Sequence, residues 1–513
     1  MGKPDCGNTC HFVEIKTFHS YCFDLLGRVG TLENSADIIR EAVKRIRAGE
    51  VEPSRITKTV LVIDEAQDMD ANEYALVEAL LEQNEEMRLI AVGDDDQNIY
   101  EFRGSSSEYL RRILEDKGAV KYELVENYRS KSNLVDYANQ YVKRIPYRLK
   151  ETPIIPRQKD NGTIRLIRYS RGTNLITPLV NDVLSAELAG STCVLTKTND
   201  EALQITGLLM KNGMKARLIQ SNDGFNLYNL LEIRFFLNLI HMDDSSYTIS
   251  DDTWSKACWE LKRKYGDSAN FDIAANVIGD FEQTNPRTKY KSDLEMFIRE
   301  SKLEDFFGVN SETIFVSTIH KAKGREFDNV FLLLNHFNID TDERKRLLYV
   351  GMTRAKSSLT IHCNENYLDN IKTEGLNIYL DLEQYMHPAH LAMQLTHKDV
   401  WLDFFIHRQD VIDKLKSGDV LSFDGEYCRT AKGVPLLRLS QKAARQIRAW
   451  INKGYQPKDA QVRFIVYWQK QDSEEEIKIV LPEVHLEKAG DLKYGALQEN
   501  QWFDSQKFDA RIP

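Results

Sequence analysis

Residues 60–70 have the sequence VLVIDEAQDMD. Four apolar residues, Val60 to Ile63, are followed directly by Asp64 and Glu65. This pattern is typical of a buried parallel strand that ends at the carboxyl edge of a sheet, where α/β proteins bind ligands. Two carboxylates at such an edge favour a site for Mg²⁺ and a nucleotide phosphate, although a solvated turn is the alternative interpretation. The stretch therefore predicts an α/β fold.

The composition is that of a globular protein. The 513 residues leave room for about three or four domains. Hydrophobic residues make up 42% and charged residues 28%, and no apolar run has the length of a membrane-spanning helix. The start, MGKPDCGNTC, lacks the apolar segment of a signal peptide, and seven sparse Cys residues fit a reducing compartment, so we expect a cytoplasmic protein. The net charge of −10 does not exclude nucleic acid, because only the charges in the contact area decide its binding.

Several possible zinc ligands crowd the N-terminal region: Cys6, Cys10, His11, His19 and Cys22. Their spacing matches no standard zinc finger. Unligated thiols are therefore the favoured interpretation.

The pattern of the sequence divides the chain into five segments that make four parts, since 121–224 and 311–385 flank an insertion and form one part. Residues 1–120 alternate buried strands with amphipathic helices, and residues 121–224 repeat that style. Residues 225–310 are polar and helical, which indicates an inserted subdomain. Strand character returns in 311–385, where SLTIHC is expected to be the last strand of its sheet, and 386–513 are predicted to form a separate α+β module.

A second strand, MRLIAVGD, leads into GDDDQNIYEFRGS at residues 93–105. Gln97 could sense a γ-phosphate through its amide. Tyr100, Phe102 and Arg103 form an aromatic and cationic cluster, and base stacking on such aromatics contributes about 1–3 kcal/mol per base. Ordinary core aromatics are the alternative for this cluster.

Six motifs occur in one order along the chain: TFHS (17–20), DEAQD (64–68), GDDDQNIYEFRGS (93–105), ENYRS (126–130), VSTIHKAKGREFDNVF (316–331) and RLLYVGMTRAK (346–356). This set closely resembles the ordered motifs of the UvrD/Rep-like superfamily 1 DNA helicases. The resemblance implies two RecA-like P-loop-NTPase-type domains, with 1–120 as the first and 121–224 plus 311–385 as the second. It also implies ATP-driven movement on single-stranded DNA, in repair or recombination.

The resemblance assigns nucleotide roles to residues of the first domain and of the ENYRS motif. Asp64 would hold Mg²⁺, and Glu65 would act as the general base for the attacking water. Gln97 would couple the γ-phosphate to the DNA site. Tyr128 would stack on the adenine, and Arg129 would contact the phosphates.

Three further residues of the second domain are implied in nucleotide binding. Gly324 and Glu326 belong to the GREF sequence, and Glu326 would bind the ribose hydroxyls. Arg354 would be an arginine finger, a group that contributes about 10³–10⁵ in rate in phosphoryl-transfer enzymes.

The same resemblance implies a track for single-stranded DNA, lined by Thr17, Phe18, His19, Tyr100, Phe102, Arg103 and His320. The family often has Trp where this chain has Phe102. A Phe ring still offers a π-face, so stacking there is expected to weaken rather than vanish.

The phosphate-binding loop of the family is not found in the sequence. The family's loop lies well upstream of TFHS, but only 16 residues precede Thr17. Gly-Lys occurs only as Gly2-Lys3 before Pro4, and neither Gly-Lys-Ser nor Gly-Lys-Thr occurs. We therefore expect ATP and Mg²⁺ to bind weakly or not at all to this chain alone, because nothing replaces the backbone cradle and its Lys.

This absence has two interpretations. The favoured one is that the chain is the C-terminal part of a larger helicase, rather than a decayed or truncated copy, and that its first RecA-like domain lacks a strand. An N-terminal segment or a partner would then supply the loop. The alternative is an ATPase-deficient subunit that binds nucleic acid or another protein.

The last 128 residues, 386–513, carry no assigned motif. VRFIVYW and EIKIVLPEV are predicted strands, and SQKAARQIRAWINKGY is a predicted helix. Four basic residues on or near that helix, Arg438, Lys442, Arg445 and Arg448, are interpreted as a solvated surface rather than a binding face. A nuclease site is not indicated, because EIK is a lone acid-x-Lys sequence without a convincing upstream partner.

Overall fold

The computed structural model describes residues 14–27, 35–116, 118–219, 225–241, 246–286, 288–301, 306, 313–470 and 475–488. Cys6, Cys10, His11 and the Gly2-Lys3 pair lie outside these residues. No helix in the described part of the chain is long and apolar enough to cross a membrane.

The helices within the described ranges are α1 Phe18–Leu26, α2 Ser35–Arg47, α3 Pro53–Ile56, α4 Ala71–Glu82, α5 Ser107–Glu115, α6 Ser132–Val142, α7 Ile176–Ser185, α8 Asn199–Lys211, α9 Leu231–His241, α10 Asp251–Tyr265, α11 Phe271–Thr284, α12 Lys291–Glu300, α13 Asp342–Met352, α14 Gln409–Ile412 and α15 Gln441–Ile451. Common sequence signals mark the start of α4 and the end of α8. Asp70 and Glu73 form a capping box at the start of α4. Gly213, the predicted stop signal, follows α8 with φ +79°.

The strands within the same ranges are β1 Val60–Ile63, β2 Arg88–Ala91, β3 Glu126–Asn127, β4 Ile155–Pro156, β5 Thr163–Tyr169, β6 Thr192–Thr196, β7 Ala216–Leu218, β8 Thr248–Ile249, β9 Lys289–Tyr290, β10 Ile314–Thr318, β11 Phe327–Leu334, β12 Ala355–Cys363, β13 Leu376–Asp381, β14 His390–Gln394, β15 Val420–Phe423, β16 Tyr427–Arg429, β17 Pro435–Arg438, β18 Tyr455–Gln469 and β19 Glu476–Lys488.

Contacts between Cα atoms divide the chain into two compact units. The first unit comprises Met1–Asn161, Asn338–Thr353 and Asn370–Glu374, and the second comprises Gly162–Phe337, Arg354–Asp369 and Gly375–Pro513. Residues 121–161 therefore cluster with the first unit. The four-part division drawn from the sequence is finer than this one and stays a prediction.

The first unit contains a parallel pair of strands, β1 and β2, with Val60 opposite Arg88. We predicted both strands to be buried, and this is wrong for much of the pair. Val62 is 59% exposed and Ile90 is 50% exposed. The reason is that β1 and β2 form a two-stranded sheet in the described residues, so part of its apolar surface has no covering layer. Helices α1, α2 and α4 form one buried apolar cluster of this region, and a second cluster contains Ile63 of β1.

The second unit is built on a seven-stranded sheet with the order β13-β5-β12-β11-β6-β10-β7. Every neighbouring pair in this sheet is parallel, as the near-continuous apolar strands predicted. The expectation that SLTIHC is the last strand is wrong, because β13 follows it and pairs with β5. This strand was missed although its sequence has an apolar residue at every second position; in the structure it lies at an edge and is largely exposed.

The rest of the second unit combines helices and an antiparallel sheet around a shared core. Helices α9 to α12 come from the predicted insertion, 225–310. The sheet has the order β14-β19-β18-β15-β16-β17 and comes from the predicted C-terminal module, 386–513. Its strands β18 and β19 contain the predicted VRFIVYW and EIKIVLPEV stretches. Apolar residues of both segments belong to one buried cluster.

Candidate functional site

The turn after β1 holds the two predicted carboxylates at an exposed strand end. The Asp64 carboxylate is exposed, and its Oδ1 accepts the backbone N–H of Glu65 at 2.9 Å. Glu65 has φ +51°, a left-handed conformation that costs a non-glycine residue free energy. The Nε2 of Gln67 donates to Glu65 Oε2 at 2.6 Å, which fixes the direction of that carboxylate. The turn is therefore a constrained support for Glu65.

Gln67 connects this turn with the end of the neighbouring strand. Its side chain is fully buried, and its Oε1 accepts the backbone N–H of Asp94 at 2.9 Å. Its backbone carbonyl accepts from Asn98 Nδ2 at 2.7 Å. The motifs DEAQD and GDDDQ thus form one hydrogen-bonded unit, to which Gln67 is central. We did not predict a role for Gln67, although its place in DEAQD was the available signal.

Gln97 belongs to the same network. Its Nε2 donates to Asp94 Oδ2 at 2.9 Å, so Asp94 lies between Gln97 and Gln67. Lys150 also contacts Asp94 Oδ2, at 3.3 Å. The network therefore links the general-base candidate Glu65 to Gln97 by way of Gln67 and Asp94.

The neighbouring aspartates are engaged in structural contacts. Arg148 Nη2 donates to Asp96 Oδ2 at 2.6 Å, and the backbone N–H of Leu149 donates to Asp95 Oδ2 at 2.6 Å. Burial raises the pKa of Asp96 to about 6, and the hydrogen bond from Arg148 opposes that shift. The exposed carboxylate of Asp64 has the oxygen donors that a hydrated Mg²⁺ prefers, and carboxylate oxygens of Asp94, Asp95 and Asp96 also lie within 4.8 Å of one another.

The three residues of the aromatic cluster lie together on the surface. The ring centroids of Tyr100 and Phe102 are 6.2 Å apart, and Arg103 Cζ lies 5.3 Å and 5.5 Å from them. Phe102 is 64% exposed, so the interpretation as core aromatics does not apply to it. Buried Asn98 anchors the loop by accepting from Tyr100 N and Ser105 Oγ.

The TFHS residues begin α1. Thr17 is the N-cap, and its Oγ1 accepts the backbone N–H of Ser20 at 3.1 Å. Phe18 is partly buried against the core of the first unit, which gives it a packing role as well. Burial lowers the pKa of His19.

The ENYRS motif places one aromatic ring in solvent. Tyr128 is 69% exposed, and its hydroxyl donates to the carboxylate of Glu126. The backbone N–H of Arg129 donates to Asn127 Oδ1 at 3.0 Å, and its carbonyl accepts from Gln158 Nε2 at 2.9 Å. The Tyr128 ring is thus accessible for stacking on a base.

The predicted residues of the second unit lie around the ends of β10, β11 and β12. His320 follows β10, and Gly324 has φ +80° in the turn that leads to β11. The carboxylate of Glu326 lies 3.9 Å from Lys356 Nζ. Arg354 is only 2% exposed, and its Nη1 donates to the carbonyl of Arg325 at 3.1 Å. Its guanidinium is therefore held close to the GREF turn.

Two family models match most of the described chain. The UvrD/REP helicase N-terminal domain matches residues 36–118, and the UvrD-like helicase C-terminal domain matches residues 122–250 and 248–366.

Three bacterial relatives are similar to this chain over long alignments. The putative ATP-dependent DNA helicase YjcD of Bacillus subtilis is 22% identical over 421 residues, which is 65% of this chain and 55% of YjcD. The Gabija protein GajB of Bacillus cereus is 23% identical, covering 61% of this chain and 65% of GajB. DNA helicase II of Escherichia coli is 23% identical, covering 63% of this chain and 57% of that protein. The chain thus spans about 55–65% of the length of these relatives. The two family models match the chain in the order of N-terminal and C-terminal domain, and the matched residues contain the motifs from DEAQD to RLLYVGMTRAK. This chain therefore belongs to the UvrD/Rep-like family of DNA helicases.

Proposed function

We propose that this chain is the motor portion of an ATP-dependent DNA helicase or translocase that acts on single-stranded DNA in repair or recombination. The hydrogen-bonded unit of Glu65, Gln67, Asp94 and Gln97 carries the proposal. It holds a carboxylate in a fixed direction at the carboxyl end of a parallel strand, as a general base in phosphoryl transfer requires.

The proposed chemistry assigns each residue one task. Glu65 orients the attacking water and takes its proton, and the bond from Gln67 keeps the carboxylate in place. Asp64 would hold Mg²⁺, which supplies charge neutralisation on the phosphates. Gln97 donates a hydrogen bond to Asp94 and would sense whether a γ-phosphate is bound.

The remaining nucleotide contacts follow from the family assignment. Tyr128 offers an exposed ring for the adenine. Arg129 and Arg354 would contact the phosphates, with Arg354 as the arginine finger. Gly324 and Glu326 would bind the nucleotide, Glu326 through the ribose hydroxyls.

For DNA, the cluster of half-buried Tyr100 with exposed Phe102 and Arg103 offers two aromatic rings and a guanidinium side by side. Such a surface stacks bases of any sequence. Thr17, His19 and His320 are proposed as further contacts to the strand.

We also propose that a segment with a phosphate loop, in a longer form of this chain or in a partner, completes the first unit. Neither Gly-Lys-Ser nor Gly-Lys-Thr occurs in the 513 residues. The exposed apolar side chains of Val60, Val62, Ile90 and Val92 on the β1–β2 pair support this proposal. Parallel sheets are normally covered on both faces, so the exposed face of the pair fits a covering layer, and the edges of this two-stranded sheet fit an additional strand.

The second candidate is a subunit without ATPase activity that binds nucleic acid or another protein. The missing Gly-Lys-Ser/Thr sequence favours it. The fixed geometry of Glu65 opposes it, because a strained left-handed turn has no evident use in a binding subunit.

ATP hydrolysis with saturating single-stranded DNA separates these candidates when it is measured both on this chain and on a fusion that adds a phosphate loop. We expect no turnover above a Glu65→Gln control for this chain alone. DNA-stimulated turnover that Glu65→Gln abolishes would contradict the need for an added loop. Fusion of a strand and Gly-Lys-Ser/Thr loop from one of the relatives is expected to restore turnover that requires Glu65. A fusion that folds and binds nucleotide but hydrolyses none would favour the binding subunit.

A further inference from the structure

Strand β13 forms one edge of the seven-stranded sheet of the second unit. On one side it pairs with β5, from Leu376 opposite Ile164 to Asp381 opposite Tyr169. Within the described residues, no strand pairs with its other side. A free edge of this kind presents backbone N–H and C=O groups that another extended chain can bond.

The edge is apolar to a degree that is unusual for an exposed strand. Ile378 is 54% exposed, Leu380 is 71% exposed, and Leu382, just beyond the strand, is 67% exposed. Natural edge strands are usually protected by Lys, Pro or a bulge. Residues 376–382 contain neither Lys nor Pro, and the pairing with β5 is regular. The strand thus has the surface of an interaction site rather than of a protected edge.

A groove of about 570 Å³ lies beside this edge, lined by residues of β5, α7 and β13 and of the segment after β13. Its aromatic lining includes Tyr169, Tyr379 and Tyr385, and the rings of Tyr169 and Tyr385 meet edge to face at 6.2 Å. The Tyr385 hydroxyl donates to Asp381 Oδ2 at 3.0 Å. The groove therefore combines aromatic faces with a carboxylate that is held in a fixed position.

The charge of this surface is acidic. Arg165 lies in the groove, but Asp182 Oδ1 accepts from its Nη2 at 2.9 Å and offsets its charge. Asp381 and Glu383 also line the groove. No Lys or Arg occurs from residue 373 to residue 397. Carboxylates beside tyrosine rings favour Lys and Arg side chains, through charge-assisted hydrogen bonds and cation–π contacts.

We propose that the groove along β13 binds an extended segment of a partner protein, rich in basic and apolar residues, which pairs with β13 as an additional strand. Backbone hydrogen bonds to a free edge give such complexes affinity, and pockets for alternate side chains give them specificity. A second copy of this chain fits less well, because its β13 edge would bring equal acidic charge. The proposal uses none of the residues assigned to ATP or DNA and does not depend on those assignments.

A phage-displayed library of short random peptides, selected on the full chain in physiological salt, tests the proposal. We expect the enriched peptides to alternate β-branched or aromatic residues with Lys or Arg. Their affinity is expected to fall by about tenfold or more for the Leu380→Lys variant, because the added charge repels the basic side chains and blocks the edge. Hydrogen exchange at residues 376–382 should slow when such a peptide is bound.

Val420→Lys is the matched control. Val420 is 65% exposed on β15 of the antiparallel sheet, so the variant changes charge and apolar exposure as Leu380→Lys does. It should keep full affinity for the peptides. The proposal is overturned if the selection yields no basic and apolar consensus, or if Leu380→Lys binds the peptides as the parent does. Dimerisation of the parent chain that Leu380→Lys abolishes would also overturn the proposal, because the edge of β13 would then bind a second copy of this chain.

Discussion

Gly93, at the carboxyl end of β2, leaves room for the side chain that joins the two strand ends. A Cβ at this position would lie 2.6 Å from Gln67 Oε1 and 3.1 Å from the backbone nitrogen of Gln67. We predict that Gly93→Ala displaces Gln67 from Asp94 and lowers the free energy of unfolding by about 1–3 kcal/mol, the usual cost of overpacking. Urea denaturation measures this loss.

Gly279→Ala is the control for that substitution. Gly279 lies within α11, and a Cβ at this position would meet no atom of a neighbouring element within 4 Å. Alanine there should raise the free energy of unfolding by about 0.5–1 kcal/mol, because it restricts the unfolded chain and favours the helix. If Gly93→Ala were as stable as the parent, the prediction would be wrong, because Gln67 could then move without lowering the free energy of unfolding.

The residues of the candidate site differ in how far the sequence could reveal them. Asp64, Glu65 and Gln97 stand in motifs, so their positions at strand ends follow from the local pattern. Gln67 and Gly93 stand in the same motifs, but their role does not follow from the local pattern, because it depends on a contact between Gln67 and the backbone of Asp94, 27 positions away. Only the pairing of β1 with β2 brings these residues together.

At the scale of single elements, the capping box of α4 makes stability depend on pH. Glu73 accepts the backbone N–H of Asp70 at 3.0 Å, and burial raises the pKa of Glu73 from 4.5 to about 7. Since the native state holds this proton more tightly than the unfolded state, the stability from Glu73 falls as pH rises from about 4.5 to about 7. Above that range the loss is complete.

Glu73→Gln keeps an oxygen acceptor for Asp70 and removes the charge. We predict that the stability of this variant, relative to the parent, increases as pH rises through the same window and then stays constant. Urea midpoints at a series of pH values measure the difference. A difference that does not change with pH would show that the Glu73 carboxyl is solvated in the folded protein.

The sequence predicted where strands occur better than it predicted whether those strands are buried. The apolar runs correctly placed β1 and β2, but the inference that they are buried failed because a sequence pattern does not show what covers a strand. The edge strand β13 was missed although LNIYLDL, residues 376–382, has an apolar residue at every second position, so the local signal of a strand was present and was not used. The covering of β1 and β2, by contrast, depends on residues that are distant in sequence.

At the scale of the second unit, the helices of 225–310 and the sheet of 386–513 share one core. The ring of Phe225 lies 5.1 Å from that of Phe464, and Arg234 of α9 pairs with Glu476 of β19. Local patterns located these elements but could not show that they pack together, because the contacts join residues more than 200 positions apart.

A substitution at the centre of this core should therefore affect both segments. Phe464 is 2% exposed, and we predict that Phe464→Ala lowers the free energy of unfolding by about 3–5 kcal/mol. Hydrogen exchange should then accelerate in α9 to α12 as well as in β18 and β19. Phe102→Ala, at a 64% exposed ring in the first unit, should change stability by less than about 0.5 kcal/mol. Acceleration confined to β18 and β19 would mean that the helical segment folds independently of the sheet.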